Sequence, residues 1–211
     1  MNAQDLERLE REFFARDTRR VARELLGSFI VRRIGRETLI ARIVETEAYR
    51  GDEPACHAYA NAQRVQRGEA PRGRSAVLFD EPGTAYVYFN YGMYWLFNVV
   101  TEPAGQAGAV LIRAIEPVHG IECMRAFRPH AKSDKEIGNG PGKLALALDI
   151  GSKFNGKSLL RSRELFLARA TGKCPRRPVV ESPRIGISQA KDLPWRFHFG
   201  NHPGVSLPNR H

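Results

Sequence analysis

Residues 28–49 read SFIVRRIGRETLIARIVETEAY, and their pattern predicts the centre of the fold. Aliphatic and β-branched residues fill both arms around the tetrapeptide IGRE, which is typical of a β-hairpin with a tight turn. On the second arm, alternate side chains point to the same face of the sheet. Ile43, Glu45, Glu47 and Tyr49 are therefore predicted to share one face.

Two carboxylates on an otherwise apolar strand need a physical reason. Residues two apart on a strand are separated by about 6.6 Å, which suits the paired carboxylates of a glycoside hydrolase. Alternatively, one glutamate forms an ion pair with an arginine of a neighbouring strand, and the candidates are Arg32, Arg33 and Arg113. An acid close to Tyr49 and His57 favours a third arrangement, a pocket that binds a flat ligand between rings.

Outward from this hairpin, helices and strands follow one another irregularly. Helices are predicted over 120–128 and 143–151, and two shorter helices in 5–27 meet near Asp17. Two strands are predicted within 86–100, and single strands over 109–117, 165–169, 184–188 and 195–200. Residues 50–77 are predicted to form a long, basic, exposed loop, and 129–142 a polar one. We expect an α+β fold, with a single domain over 1–211, a curved and largely antiparallel sheet, flanking helices and a protruding aromatic β-hairpin.

The composition excludes several classes of protein. The chain has 211 residues, is 42% hydrophobic and 27% charged, and its apolar runs are shorter than the ~20 residues of a membrane span. The N-terminus lacks the apolar core of a secretory signal, so we expect a cytosolic protein without membrane association. The separated Cys56, Cys123 and Cys174, and histidines without ligand spacing, predict no disulfide and no metal site. We also expect no cofactor.

The charge balance favours a polyanionic partner. Lys and Arg number 33 against 23 Asp and Glu, which gives a formal net charge of +10. A charge of this sign suits nucleic acid first and an anionic membrane surface second. A basic surface that only keeps the protein soluble is the alternative, so the nucleic-acid interpretation needs a matching site.

An aromatic segment supplies a candidate for that site. Residues 86–97 read YVYFNYGMYWLF, in which seven of twelve side chains are aromatic. Most of these rings are predicted to lie in the core. Tyr91 is the exception because it directly precedes Gly92 at the predicted turn. A large ring on an exposed turn of a basic protein suits a wedge that enters a DNA base stack.

The stretch GNGPGKLALALDI (138–150) predicts a contact with an anion. Lys143 falls in the first helical turn, where a cation opposes the helix dipole unless an anion is also bound. A DNA phosphate would meet this requirement. Ile137 and Leu144 break the nucleotide P-loop pattern, so we reject ATP binding.

Four stretches together resemble one family, the alkyladenine (3-methyladenine) DNA glycosylases. They are RIVETEAY (42–49) followed by His57, PGTAYVYFNYGMYWLFNVV (82–100), VLIRAIEP (110–117) and GPGKLALAL (140–148). With the later RIGIS and PWRFHF segments, the resemblance extends over nearly the whole chain. The combination of VETEAY with YGMYW is its most specific part.

The resemblance implies which residues carry the reaction. Glu47 matches the glutamate that activates the attacking water, and Arg113 matches the arginine that helps to hold this water. Glu45 matches the other acid of the motif and is expected to be structural. A carboxylate at this point would both stabilise positive charge on the sugar and deprotonate water.

The resemblance also implies which residues bind the substrate. Tyr49, His57 and Tyr88 match the rings that sandwich the extruded base, and Asn98 matches the asparagine that crowds a normal guanine at its 2-amino group. Tyr91 matches the tyrosine that fills the gap left in the duplex. The positions that match neighbours of the DNA backbone are Met93, Tyr94 and Lys143.

The implied function is base-excision repair. We expect a monofunctional DNA glycosylase, without lyase activity, that flips alkylated or deaminated purines out of duplex DNA and hydrolyses their N-glycosidic bond. The expected lesions are 3-methyladenine, 7-methylguanine, hypoxanthine and ethenoadenine. The expected partner is double-stranded DNA with damaged purines, bound by a monomer, in the cytoplasm of a bacterial-type cell or the nucleus of a eukaryote.

Two alternatives belong to other classes. The first is a non-catalytic protein that binds DNA lesions with the same pocket and wedge. The second is a carbohydrate hydrolase that uses Glu45 and Glu47 as its pair. The sequence also departs from the family pattern at Ser75, Leu78 and Asn90, which leaves the DNA contacts of 72–79 and the geometry of the hairpin tip open.

Overall fold

An antiparallel β-hairpin lies at the centre of the structure, a computed structural model that describes residues 3–172 and 177–206. Strand β2 spans Phe29–Ile34 and strand β3 spans Glu37–Arg50. Gly35 has a φ of 59°, which a residue without a Cβ adopts readily, so the predicted IGRE turn is confirmed. At 14 residues, β3 is long enough to pair with several different strands.

The other elements surround this hairpin. The strands are β1 Leu6–Arg8, β4 Ala85–Asn90, β5 Tyr94–Val100, β6 Gly108–His119, β7 Leu165–Ala170, β8 Val179–Ser182 and β9 Arg196–Phe199. The α-helices are α1 Arg11–Phe14, α2 Thr18–Glu24, α3 Tyr59–Gln66, α4 Ile121–Phe127, α5 Asp134–Ile137 and α6 Pro141–Ala147. Short 3-10 helices are Ala3–Asp5, Arg74–Phe79 and Ser152–Phe154.

The strands form one sheet in the order β1-β7-β2-β3-β6-β5-β4, and β9 adds to β3 and carries β8. Every pair of these strands is antiparallel. The predicted α+β class with a largely antiparallel sheet is therefore confirmed. Among the described residues, no helix is both long and apolar enough to cross a membrane.

A pair of irregularities in the β3–β6 ladder shapes the centre of the sheet. Ile43 pairs with Ile115 and Glu45 with Ala114, so β3 carries one extra residue there; Thr46 then pairs with Ile112, so β6 carries an extra residue next. That second extra residue is Arg113. Bulges re-aim side chains and occur often beside active sites.

The bulge in β3 corrects one sequence prediction. Ile43 lies in the main hydrophobic core with Ala48, and Thr46 donates a hydrogen bond to Ala22 O of α2, so these three residues face the helices. Glu45 and Glu47 face away from that core. Ile43 therefore does not share the face of the glutamates, because the extra residue reverses the alternation between them.

Buried apolar residues form a large cluster on the helix side and a smaller one beside it. The large cluster joins α2, α6 and the central strands. The smaller one includes Cys56, Ala58, Leu78, Tyr86 and Ala109. Tyr88 packs against this second cluster, so the cluster supports strand β4.

Most predicted elements are confirmed, among them the helix after β6, the strand over 165–169 and the pairing of β4 with β5. The two N-terminal helices do meet near Asp17, whose carboxylate accepts hydrogen bonds from the N–H groups of Arg19 and Arg20 and caps α2. Residues 6–8 form a strand rather than part of the first helix, because they pair with β7. The helix predicted over 143–151 begins at Pro141 and ends at Ala147.

Three loop and strand predictions are wrong. The predicted loop 50–77 contains α3, since its alanine-rich centre favours a helix, and 129–142 contains α5. Residues 184–188 are not a strand: Gly186 has a φ of 76°, and the Ile185 N–H bonds to a side chain instead of a neighbouring strand. Cys174 lies outside the described residues.

Candidate active site

A cavity of about 740 Å³ opens between the second half of β3, the aromatic β4–β5 hairpin and the start of α6. Nine residues predicted from the sequence line it: Tyr49, His57, Tyr88, Tyr91, Met93, Tyr94, Asn98, Arg113 and Lys143. They come from strands, a turn, a loop and a helix that lie far apart in the chain. Glu47 is not on the cavity surface, because its side chain is fully buried.

Glu47 lies one layer beneath the cavity wall. Its Oε2 accepts hydrogen bonds from the Tyr49 hydroxyl at 2.7 Å and from Arg113 Nη1 at 3.2 Å. Its Oε1 accepts one from the Ile185 N–H at 2.7 Å. All three donors belong to residues that line the cavity. These three residues therefore lie between the carboxylate of Glu47 and the cavity.

Arg113 connects the two carboxylates of β3. Its Nε donates to Glu45 Oε1 at 3.1 Å while Nη1 donates to Glu47, so the ion-pair alternative holds for both glutamates with Arg113. Arg32 instead pairs with Asp149. Burial opposes the charge of Arg113, but Glu47 and Glu45 outweigh this effect and raise the pKa of the guanidinium. Arg113 is thus a fixed cation at the cavity floor.

Hydrogen-bond donors surround the carboxylate of Glu45. It accepts hydrogen bonds from Arg196 Nε at 2.6 Å, from the Ser206 N–H at 2.6 Å and from the Ser206 hydroxyl at 2.7 Å, in addition to Arg113. With these donors around it, Glu45 holds β9 and the segment before residue 207 against β3. Arg196 and Ser206 were not identified from the sequence, since each is an ordinary polar residue until the fold brings it to Glu45.

Aromatic rings form one wall of the cavity. The ring centroids of His57 and Tyr88 are 4.7 Å apart with an interplanar angle of 66°, and those of Tyr86 and Tyr88 are 5.2 Å apart. His57 Nδ1 lies 3.0 Å from the Tyr86 hydroxyl. Asn98 donates a hydrogen bond to Tyr86 O at 3.1 Å. Tyr86 thus positions both His57 and Asn98, although the sequence indicated only a core residue there.

The protonation of these rings follows from their surroundings. His57 is open to solvent on one side, but partial burial, and then the nearby charge of Arg74, lower its pKa. Burial raises the pKa of Tyr86 to about 12. Burial and then the negative charge of Glu47 raise the pKa of Tyr49 well above its ordinary value. At neutral pH the imidazole of His57 is therefore neutral, and Tyr49 and Tyr86 keep their hydroxyl protons.

The tip of the β4–β5 hairpin is exposed. The exposed fractions are 82% for Tyr91, 63% for Met93 and 45% for Tyr94. Tyr91 and Gly92 have φ values of 48° and 67°, and the Met93 N–H donates to Asn90 O at 3.0 Å, as in a turn with two left-handed central residues. Asn90 accordingly takes part in the turn through its backbone.

Two further segments border the cavity. Lys143 Nζ donates one of its three hydrogens to Asn139 Oδ1 at 2.8 Å, and phosphate binding there stays a prediction. The segment 72–79 is held by Asn61, which accepts from the Arg72 N–H and donates to Ser75 Oγ at 3.0 Å. The buried Ser75 therefore anchors this segment to α3.

Comparison with known proteins identifies the family of this chain. The family model described as Methylpurine-DNA glycosylase matches residues 12–203. Relatives named "Putative 3-methyladenine DNA glycosylase" include one from Carboxydothermus hydrogenoformans, 45% identical over 94% of this chain and 98% of its own length. Others are from Salinibacter ruber, 45% identical over 95% and 97%, and from Methanocella arvoryzae, 44% identical over 94% and 95%. The resemblance found in the sequence is thereby confirmed, and the chain belongs to the methylpurine-DNA glycosylase family.

Proposed function

We propose that this protein flips alkylated or deaminated purines out of duplex DNA and hydrolyses their N-glycosidic bond with a water activated by Glu47. One observation carries the proposal: a buried carboxylate lies directly beneath an aromatic-walled cavity and is held by three donors from residues that line it. The proposed substrates are 3-methyladenine, 7-methylguanine, hypoxanthine and ethenoadenine in double-stranded DNA.

Hydrolysis of an N-glycosidic bond requires a fixed negative charge close to the sugar, and Glu47 would supply it beneath the cavity. Cleavage of the N-glycosidic bond develops positive charge on the sugar, which a nearby carboxylate stabilises while it takes a proton from water. Among its three donors, Arg113 makes the longest hydrogen bond to Glu47, at 3.2 Å. We propose that water enters between these two side chains, so that Arg113 orients it and Glu47 deprotonates it.

The cavity wall supports selection of damaged bases. A cationic alkylated purine is attracted to the faces of Tyr49 and Tyr88 through cation–π interaction, whereas a neutral lesion must rely on stacking and shape. Asn98 is buried, and Tyr86 O fixes its amide, so a bulky 2-amino group would meet a rigid obstacle. A damaged pair also costs less to open than an intact one.

The hairpin tip and the charge support binding to duplex DNA. Tyr91 is the most exposed large ring and would fill the gap that the flipped nucleotide leaves. Met93, Tyr94 and Lys143 lie around the same cavity and would meet the DNA backbone. The net charge of +10 adds an attraction that does not depend on base sequence. We propose action as a monomer in the compartment that holds chromosomal DNA.

We propose hydrolysis without strand cleavage. A lyase needs a free amine near the anomeric carbon to form a Schiff base. Lys143 lines the cavity, but Asn139 Oδ1 holds its ammonium group at 2.8 Å. Treatment with borohydride in the presence of lesion-containing duplex is therefore expected to trap no covalent adduct. A trapped adduct that disappears in Lys143→Ala would contradict this part of the proposal.

The main test is release of free base from duplexes that contain one hypoxanthine, ethenoadenine or 7-methylguanine. Glu47→Gln is expected to lower the single-turnover rate by about 10²–10⁴-fold, because an amide cannot act as the base, while duplex affinity is largely kept. Glu81→Gln is the matched control, since Glu81 is exposed and pairs with Arg11 on the surface. Equal rates for Glu47→Gln and the unmodified protein would remove Glu47 from its role.

The complete burial of Glu47 favours one other candidate, a lesion-binding protein without turnover. Such a protein would bind lesion-containing duplexes tightly and release no base during long incubation. The carbohydrate-hydrolase alternative has no comparable support, because Arg113, Arg196 and Ser206 enclose Glu45.

A further inference from the structure

A second buried ion pair, between Arg184 and Glu53, lies beside the candidate active site. Arg184 Nη1 donates to Glu53 Oε1 at 2.7 Å and Nη2 to Glu53 Oε2 at 2.9 Å, which is a bidentate pair. Nη1 also donates to Ala48 O at 2.9 Å. The Arg184 side chain has no exposed surface. One guanidinium therefore ties the segment around residue 184 to the end of β3 and to the loop that follows it.

The same guanidinium packs on a ring that lines the cavity. Its central carbon lies 4.7 Å from the ring centroid of Tyr49 and 5.3 Å from that of Trp195. Stacking of a planar guanidinium on an aromatic face is a geometry that lysine cannot reproduce. Arg184 thus restrains the ring whose hydroxyl donates to Glu47 Oε2.

The backbone next to Arg184 reaches Glu47 directly. Ile185 follows in the chain, and its N–H donates to Glu47 Oε1 at 2.7 Å. Ile185, Gly186 and Ile187 line the cavity. The position of this N–H depends on the position of Arg184, because only one peptide unit separates them. Two of the three donors to Glu47, Tyr49 and Ile185, are thereby held by one side chain.

We propose that Arg184, fixed by Glu53, is a positioning residue that sets the orientation of the Glu47 carboxylate through the Ile185 N–H and the Tyr49 hydroxyl. This inference rests on the proposed function of Glu47. A buried ion pair is weak evidence for stability, because the desolvation of both charges offsets much of their attraction. What this pair supplies is a fixed geometry, and a misplacement of about 1 Å near reacting groups can cost about 10²-fold in rate.

The test compares catalysis, affinity and stability in Arg184→Lys, Glu53→Gln and the double variant. Single-turnover release of hypoxanthine is measured with excess protein, together with the Kd for the same duplex and the thermal unfolding temperature. Arg184→Lys keeps the charge but loses the bidentate pair and the stacking. Glu53→Gln keeps the shape of the side chain and weakens its pair with Arg184. It provides a second test if Arg184→Lys folds poorly.

Arg8→Lys is the matched control. Arg8 is partly buried, donates to the carbonyl oxygens of Leu159, Leu160 and Ser162, and stacks on Phe166, and it lies in β1 at one edge of the sheet. Its replacement removes a comparable set of contacts without touching the cavity. A loss of stability alone should appear in this variant as well.

The expected result is a rate lowered about 10- to 100-fold in Arg184→Lys and in Glu53→Gln, with a much smaller change in Kd. The double variant should be no slower than the slower single variant, because both changes break one unit. Arg8→Lys should keep the rate of the unmodified protein, even where its unfolding temperature falls.

Two results would overturn the inference. The first is unchanged rates in folded Arg184→Lys and Glu53→Gln, or an equal loss of rate in Arg8→Lys. Either would make the Arg184–Glu53 pair merely structural, while base release by the unmodified protein would still support the proposed function. Absence of base release by the unmodified protein from every lesion duplex would overturn the proposed function, and this inference with it.

Discussion

The Tyr49 hydroxyl donates a hydrogen bond to Glu47 Oε2 at 2.7 Å, from a position two residues further along the same strand. Strand geometry places both side chains on one face, so the ring that walls the cavity and the carboxylate beneath it are directly connected. Burial and the charge of Glu47 keep the hydroxyl protonated at neutral pH by raising its pKa. Tyr49 therefore combines a stacking surface with a donor to the proposed base.

Tyr49→Phe separates these two contributions. It keeps the ring and removes the donor, and a hydrogen bond to a charged group contributes about 1.5–3 kcal/mol. We expect base release to slow by about 10-fold or more in single-turnover kinetics, with lesion affinity nearly unchanged. Tyr49→Leu, which also loses the ring, should weaken affinity as well. A Phe variant as fast as the unmodified protein would show that the hydroxyl does not serve Glu47.

Tyr91→Asn tests the exposed ring at the hairpin tip. Asparagine tolerates the left-handed backbone at this position, where φ is 48°, so the turn should persist. Unfolding free energy should change by less than about 0.5 kcal/mol, as for most surface substitutions. Excision from duplex DNA should slow markedly, while excision from a single strand, where no gap needs filling, should not. Equal losses on both substrates would argue against a wedge.

Arg113→Met should destabilise the fold. It would leave Glu47 buried without its ion-pair partner, and removal of one member of a buried pair typically costs about 3–5 kcal/mol. Urea unfolding measures this loss. Arg125→Met is the control, because the Arg125–Asp134 pair is about half exposed and its loss should cost about 0–1 kcal/mol. Similar losses of unfolding free energy in Arg113→Met and Arg125→Met would mean that other groups compensate the buried charge of Glu47.

His57 should make stability depend on pH in a defined direction. Partial burial, and then Arg74, lower its pKa, so below about pH 6.5 the unfolded chain binds more protons than the folded one. Stability from this group is complete above about pH 6.5 and is lost as the pH falls through the window below it. As the pH decreases through this range, the unfolding temperature of His57→Gln should fall less than that of the unmodified protein. His202, whose pKa is also lowered by burial, contributes in the same direction in both proteins. An identical fall of the unfolding temperature in the unmodified protein and in His57→Gln would show that His57 does not cause the pH dependence.

The sequence alone was sufficient for the features that depend on near neighbours in the chain. Runs of aliphatic, β-branched and aromatic residues predicted the β2–β3 and β4–β5 hairpins, and Gly35 and Gly92 marked turns that need a positive φ. The motif around Glu47 was specific enough to predict the family. These features are local because the alternation of side chains and the freedom of glycine act within a few residues.

The tertiary structure decided what surrounds Glu47. One bulge, in β3, turned Ile43 away, and a second, in β6, placed Arg113 between Glu45 and Glu47. No local pattern marks a register shift between residues 66 positions apart in the chain. The segment after Arg184 is not the predicted strand, because the Ile185 N–H donates to Glu47, 138 residues away, instead of to a neighbouring strand. Buried charges must find partners wherever the packed chain offers them, so these contacts are set by the whole fold and not by neighbouring residues.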